Sequence, residues 1–135
     1  MKITTKVGEI MTKNIVSVKT TDPVVKAIDL MVKKNIGSVI VTDEGKPVGI
    51  LTERDILKRC CPEKLCTREV RSGEIMTKPL ITIEADATIG EAAWTMTKND
   101  IRRLLVTEKG KGVGVVTQKD VMRGTLDTFI ALSSI

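Results

Sequence analysis

The sequence contains no histidine and no tyrosine, and only one tryptophan, one phenylalanine and three cysteines in 135 residues. Without histidine there is no Ser/His or Cys/His nucleophile pair, no histidine general base and no histidine-containing metal site. Trp94 and Phe129 alone make no platform on which single-stranded bases could stack, and no long basic block marks a nucleic-acid arm. Cys60, Cys61 and Cys66 lie within RCCPEKLC, which lacks both a fourth thiolate and zinc-ligand spacing, so ordinary reduced thiols are expected. The start, MKITTKVGEI, has no long apolar run, and nowhere does one approach the roughly 18 residues of a membrane span. A cytoplasmic location is expected.

What is present is a globular balance, 41% apolar and 29% charged, in a chain of ordinary single-domain length. The formal charge of +5 favours an anionic partner: a phosphate-bearing small molecule or, more loosely, a nucleic acid.

The chain repeats itself. GEIMTK at Gly8 to Lys13 returns at Gly73 to Lys78, and the same register holds without a gap to Arg59 and Gly124. In the first unit Ile15 to Val18 reads as a strand, and Val24, Ala27, Ile28 and Met31 share one helical face behind Asp22-Pro23. SVIVTD and PVGILT, separated by Glu44-Gly45-Lys46, read as an antiparallel hairpin, and TERDILKRC begins a closing helix. The second unit follows the same order, with Ile89, Ala92, Ala93 and Met96 on its first helix and strands at Arg102 to Thr107 and Val113 to Val116. The expected fold class is α/β: two tandem β-α-β-β-α repeats packed sheet to sheet about a pseudo-twofold axis, with a cleft between them, because one such unit alone buries too little surface. The expected boundaries are residues 7–61 and 73–124 for the repeats, a linker at 62–72 and a helical tail at 125–135.

GILTERDI, Gly49 to Ile56, and GVVTQKDV, Gly114 to Val121, keep Gly, Thr and Asp in register. Thr52 with Asp55, and Thr117 with Asp120, fit a helix capping box, which explains both pairs without any ligand. A helix start is also an anion site, yet a carboxylate there repels phosphate; its natural ligand is a pair of vicinal hydroxyls, as on ribose. Both readings stand on the residues alone.

The tandem unit, the G-h-h-T-x-x-D pattern after its last strand, IMT before its first and V-x-D-x-G-K-P-V-G-I-L-T in the hairpin together resemble the cystathionine-β-synthase domain, or CBS domain, from about Val7 to Arg123. The resemblance implies a regulatory pair, not an enzyme, with two sites for adenosyl ligands such as AMP, ADP, ATP or S-adenosylmethionine as regulatory ligands in place of a cofactor. Carried over by motif, one site uses Asp120, Thr117 and Lys119, with Arg102 and Arg103 as phosphate clamps and Thr12, Val16 and Ile36 around the adenine. The other uses Asp55, Thr52 and Arg54, with Gly37 and Ser38 at the arginine positions and Thr77, Ile81 and Ile101 as walls. The Asp120 site is therefore expected to hold a phosphorylated ligand more tightly. The sequence departs from the family pattern at Ile40 and Leu105, where many members have Pro, and in having no histidine beside the phosphate.

Taken singly, Val16, Ile36, Ile81 and Ile101 read as plain core, and one of two adjacent strand arginines faces solvent. The expected partners are an adenosyl small molecule, a second copy of the chain through Val25, Leu30, Val32 and Trp94, and a separate effector protein, with no membrane. A nucleic-acid-binding protein using the basic surface is the alternative reading, which accounts for the charge alone.

Overall fold

In a computed structural model, the structure describes residues 5–134. Six strands form two three-stranded sheets, one in each of two compact units. Residues 16–80 make one unit; residues 5–15 join residues 81–134 in the other.

In the continuous unit, β1 (Ser17–Lys19) pairs parallel with β2 (Ser38–Asp43), which pairs antiparallel with β3 (Lys46–Thr52). Helix α2 (Val24–Lys34) crosses from β1 to β2 and buries Val24, Ala27 and Met31 with Val39, Val41 and Leu51. It stops at Asn35, whose left-handed φ of 53° lets its N–H reach back to the Met31 and Val32 carbonyls. The β2–β3 turn is the two-residue Glu44-Gly45, with φ of 49° and 80°, the mirror-image turn that matches strand twist. Strand β1 is shorter and later than Ile15 to Val18, since its ladder begins only at Ser17 opposite Ile40.

The discontinuous unit copies this plan with β4 (Thr82–Glu84), α5 (Ile89–Asn99), β5 (Arg103–Glu108), β6 (Lys111–Thr117) and α6 (Gln118–Ser133). Ala92 and Met96 are buried and Ile89 and Ala93 pack beside them. Lys109-Gly110 repeats the turn, with φ of 52° and 78°. The tail expected at 125–135 continues α6 without a break to Ser133, and its last residue, Ile135, lies outside the described residues.

Three features go beyond the sequence reading. The repeats are not the compact units, because the two GEIMTK segments act as exchanged arms. The arm of the second repeat, α4 (Ser72–Ile75) and Thr77, lies on the outer edge of β3, where Thr77 and Ile50 exchange both backbone hydrogen bonds at 2.8 and 3.0 Å. The arm of the first repeat, α1 (Val7–Ile10) and Thr12, does the same on β6 with Val115, at 2.9 Å each way. The outer edges of β3 and β6 are thereby each bridged by an arm.

Residues 62–72, expected as a linker, are stitched to the body. The Val70 side chain is core, and the Val70 and Thr67 carbonyls accept the N–H groups of Val24 and Val25, each at 2.8 Å. Pro23 at the N-cap of α2 gives no side-chain cap, so these carbonyls satisfy donors that would otherwise be orphaned. Lastly, the closing helix of the first repeat, α3 (Glu53–Asp55), widens into a π-turn over Ile56–Cys60, whereas α6 runs regularly for 16 residues.

Candidate functional site

Each unit presents one Thr/Asp corner where its last strand enters a helix. Thr117 ends β6 in extended backbone and caps α6: its hydroxyl accepts the Asp120 N–H at 3.2 Å, while Asp120 Oδ2 accepts the Thr117 N–H at 2.9 Å. Thr52 and Asp55 reproduce this at 3.2 and 2.9 Å, with the Thr52 hydroxyl also 3.0 Å from Asp55 Oδ2. The capping box expected from sequence is present at both ends. Both carboxylates are nearly buried, Asp55 at 6% and Asp120 at 7% exposure. A cap at a helix surface has no need of that seclusion.

The neighbouring strand supplies the next residues. Arg103 pairs across the ladder with Thr117, as Ser38 does with Thr52, and paired side chains project on the same face. Arg103 is half-buried, whereas Arg102 precedes the strand, is exposed, and contributes its carbonyl to the Gln118 N–H at 2.8 Å. The Gly37 carbonyl plays the same part for Glu53 at 3.1 Å. Of the two adjacent arginines, Arg103 is thus the one set beside the corner. Lys119 and Arg54, second in their helices, are exposed.

The arms bring Thr12 and Thr77 to these corners, and here the two differ. Thr77 donates its hydroxyl to Asp55 Oδ1 at 2.7 Å. Thr12 is exposed, and the Arg123 guanidinium lies 4.0 Å from the Oδ1 atom of Asp120, beyond hydrogen-bond distance. Val16 and Ile36 pack on the core of the unit that carries Asp55, and Ile81 and Ile101 on that of the unit that carries Asp120. Each is partly buried core of its own unit, the plain role expected of it singly.

Arg59 was not singled out from the sequence. Its guanidinium donates to the carbonyls of Ile75 and Met76, at 3.1 and 2.8 Å, and so pins the arm that carries Thr77. The matching position in the other unit is Gly124, packed tightly on Ile10 and Ile89. The only sequence signal was that mismatch, at the last aligned pair of the repeat. No group of three or more Cys, Asp or Glu among the described residues is placed to hold a metal ion.

A model of the CBS domain matches residues 7–61 and again residues 72–127. The uncharacterized protein MJ1404 of Methanocaldococcus jannaschii is 42% identical over 137 residues, covering 91% of this chain and 32% of that protein. The uncharacterized protein MK0525 of Methanopyrus kandleri is 34% identical over 119 residues, covering 87% of this chain and 61% of that protein. The chain thus spans less than two thirds of the length of either relative. Among solved structures, a protein with CBS domains from Burkholderia ambifaria is 30% identical with a TM-score of 0.87, covering 92% of this chain and 95% of its own. Two sheets, two Thr/Asp corners and two matched segments make this chain a member of the CBS domain family, built as a tandem pair.

Proposed function

We propose that the chain is a regulatory sensor module for adenosyl ligands, AMP, ADP, ATP or S-adenosylmethionine, and not an enzyme. The observation that carries this is the Asp120 carboxylate, held by Thr117 through Oδ2 with Oδ1 outside hydrogen-bond distance of any donor among the described residues. It is a fixed, nearly desolvated acceptor suited to the two hydroxyls of a ribose. Arg103, beside Thr117, and Lys119 supply charge for a phosphate, and the basic balance of the whole chain favours the same ligand.

The module works as a homodimer. Helix α6 carries Met122, Leu126, Phe129 and Ile130 on the side opposite its buried Val121, Gly124 and Ala131, each more than half exposed, and Trp94 and Val32 are exposed as well. Leu30, expected on that surface, packs against the core instead, and Val25 is half-buried. No described helix is long and apolar enough to cross a membrane. The regulated effector is another protein or another domain.

A thermal-shift panel of AMP, ADP, ATP, S-adenosylmethionine, NAD and GTP tests the proposal, since a ligand of the native state raises the midpoint by mass action. The adenosyl compounds should raise it and GTP should not. A panel without any shift at millimolar ligand refutes the reading, and steeply salt-dependent oligonucleotide binding in its place favours a nucleic-acid partner.

A further inference from the structure

We propose that Thr77 is an internal competitor for the Asp55 carboxylate, so that a ligand with vicinal hydroxyls binds the Asp120 corner directly and the Asp55 corner only by displacing the Thr77 hydroxyl. The inference rests on the diol reading of the two corners given above. Its basis is a difference between residues the repeat makes equivalent. Thr12 and Thr77 occupy the same place in GEIMTK, and their backbones pair identically with the outer strand. Yet only Thr77 bonds its aspartate, at 2.7 Å.

The cause lies one step away. Arg59 holds the carbonyls of Ile75 and Met76, the two residues before Thr77, and so fixes the arm against the helix that carries Asp55. Gly124, at the equivalent position, has no side chain with which to hold Ile10 and Met11. In the Asp55 corner Oδ2 already accepts from the Thr52 N–H and hydroxyl, and Oδ1 accepts from Thr77. A diol that donates both hydroxyls must therefore break a short charge-assisted bond before it gains its own. In the Asp120 corner, among the described residues, Oδ2 accepts from the Thr117 N–H alone, and Oδ1 has the Arg123 guanidinium 4.0 Å away, beyond hydrogen-bond distance. Breaking a hydrogen bond to a charged group lowers affinity about tenfold to a hundredfold. Arg59 is a positioning residue in this device, acting through the arm.

The test is calorimetry of the full chain with AMP, adenosine and 2′-deoxyadenosine, for wild type and for Asp120→Ala, Thr77→Val, Thr77→Ser, Thr12→Val and Arg59→Ala. Wild type should bind one equivalent of AMP, lost in Asp120→Ala. Thr77→Val, which keeps the shape and removes the donor, should reveal a second site or tighten it at least tenfold for adenosine, with no gain for 2′-deoxyadenosine. Thr77→Ser should behave as wild type, Thr12→Val should gain nothing at the Asp55 corner, and Arg59→Ala should give the gain in weaker form. If Asp120→Ala abolishes binding but Thr77→Val adds none, the competitor is refuted while the diol reading stands. Two equal AMP sites in wild type also refute the competitor. If neither wild type nor Thr77→Val binds any of the three probes, the diol reading and the competitor fall together.

Discussion

The Thr12 carbonyl crosses Gly114 so closely that a Cβ on Gly114 would lie 2.7 Å from it, and 2.7 Å from the Met11 sulfur. Gly49 stands in the same relation to Thr77 and Met76, at 2.9 and 2.7 Å. The glycine of each Gly-x-x-Thr-x-x-Asp motif therefore exists to let an arm pass. The methionine could shift, but the carbonyl is held by the pairing of Thr12 with Val115. Gly114→Ala should cost about 1 to 3 kcal/mol, as overpacking does, read from urea unfolding. A stability equal to wild type would mean that the arm yields freely.

Asp120→Ala should separate capping from binding. Loss of a box carboxylate takes about 1 kcal/mol or less from stability, whereas loss of two hydrogen bonds to a charged acceptor takes about 3 kcal/mol from nucleotide binding. Calorimetry with AMP decides; unchanged affinity would leave Asp120 only a cap. In the same assay Arg103→Ala should weaken AMP by tenfold or more, and Arg102→Ala by less, because Arg103 sits opposite Thr117. Equal losses would show that strand register does not choose between them.

Ser72 is fully buried, and its hydroxyl has no hydrogen-bond partner among the described residues. Val7, at the same repeat position in the other unit, is buried as completely. Removing an unsatisfied buried hydroxyl should help rather than hurt. Ser72→Ala should raise stability by about 1 kcal/mol and the calorimetric midpoint by about 3 to 5 °C. A drop of similar size would reveal an unseen partner for the hydroxyl.

Asp22 accepts the Lys19 N–H at 2.8 Å and lies 3.4 Å from the Lys26 ammonium. The backbone hydrogen bond holds its carboxyl below the ordinary 3.8, burial opposes this, and Lys26 adds to it. A carboxylate with a depressed folded pKa stabilises the fold above its unfolded pKa of about 3.9, and that contribution disappears as the pH falls through the folded value. Urea unfolding of wild type and Asp22→Ala should therefore differ by about 1 kcal/mol at pH 7 and converge below about pH 4. A constant gap from pH 7 to pH 3 would remove the charge from the account.

Leu126→Asp/Phe129→Asp, placed on the exposed face of α6, should convert the proposed dimer to a folded monomer by light scattering at micromolar concentration. A wild-type monomer at that concentration would overturn the dimer, and a variant that remains dimeric would move the interface elsewhere.

Much of each unit was legible because its signals are local. The apolar spacing of Val24, Ala27 and Met31 and the hairpin glycines Gly45 and Gly110 each act within a few residues. The box at Thr117 and Asp120 is equally local. The arm exchange left no such mark, since it consists of four-residue helices and a single bridge to a distant strand. Nor did the difference between Thr12 and Thr77, which are identical in motif, although Arg59 pins the arm of one where the other unit has Gly124.

The exchanged arms also give the two units different folding problems. Thr77 meets Ile50 within one continuous stretch of chain, but Thr12 meets Val115 only after the other unit and most of its own have been made. Closing the second loop, roughly a hundred residues against roughly a quarter of that, costs about 1 kcal/mol more in chain entropy. Residues 16–80 thus have the lower contact order and the faster route. During synthesis the first arm can meet its partners at Ala85 and Ala87 before β6 exists, but its bridge to Val115 must wait for β6 to emerge.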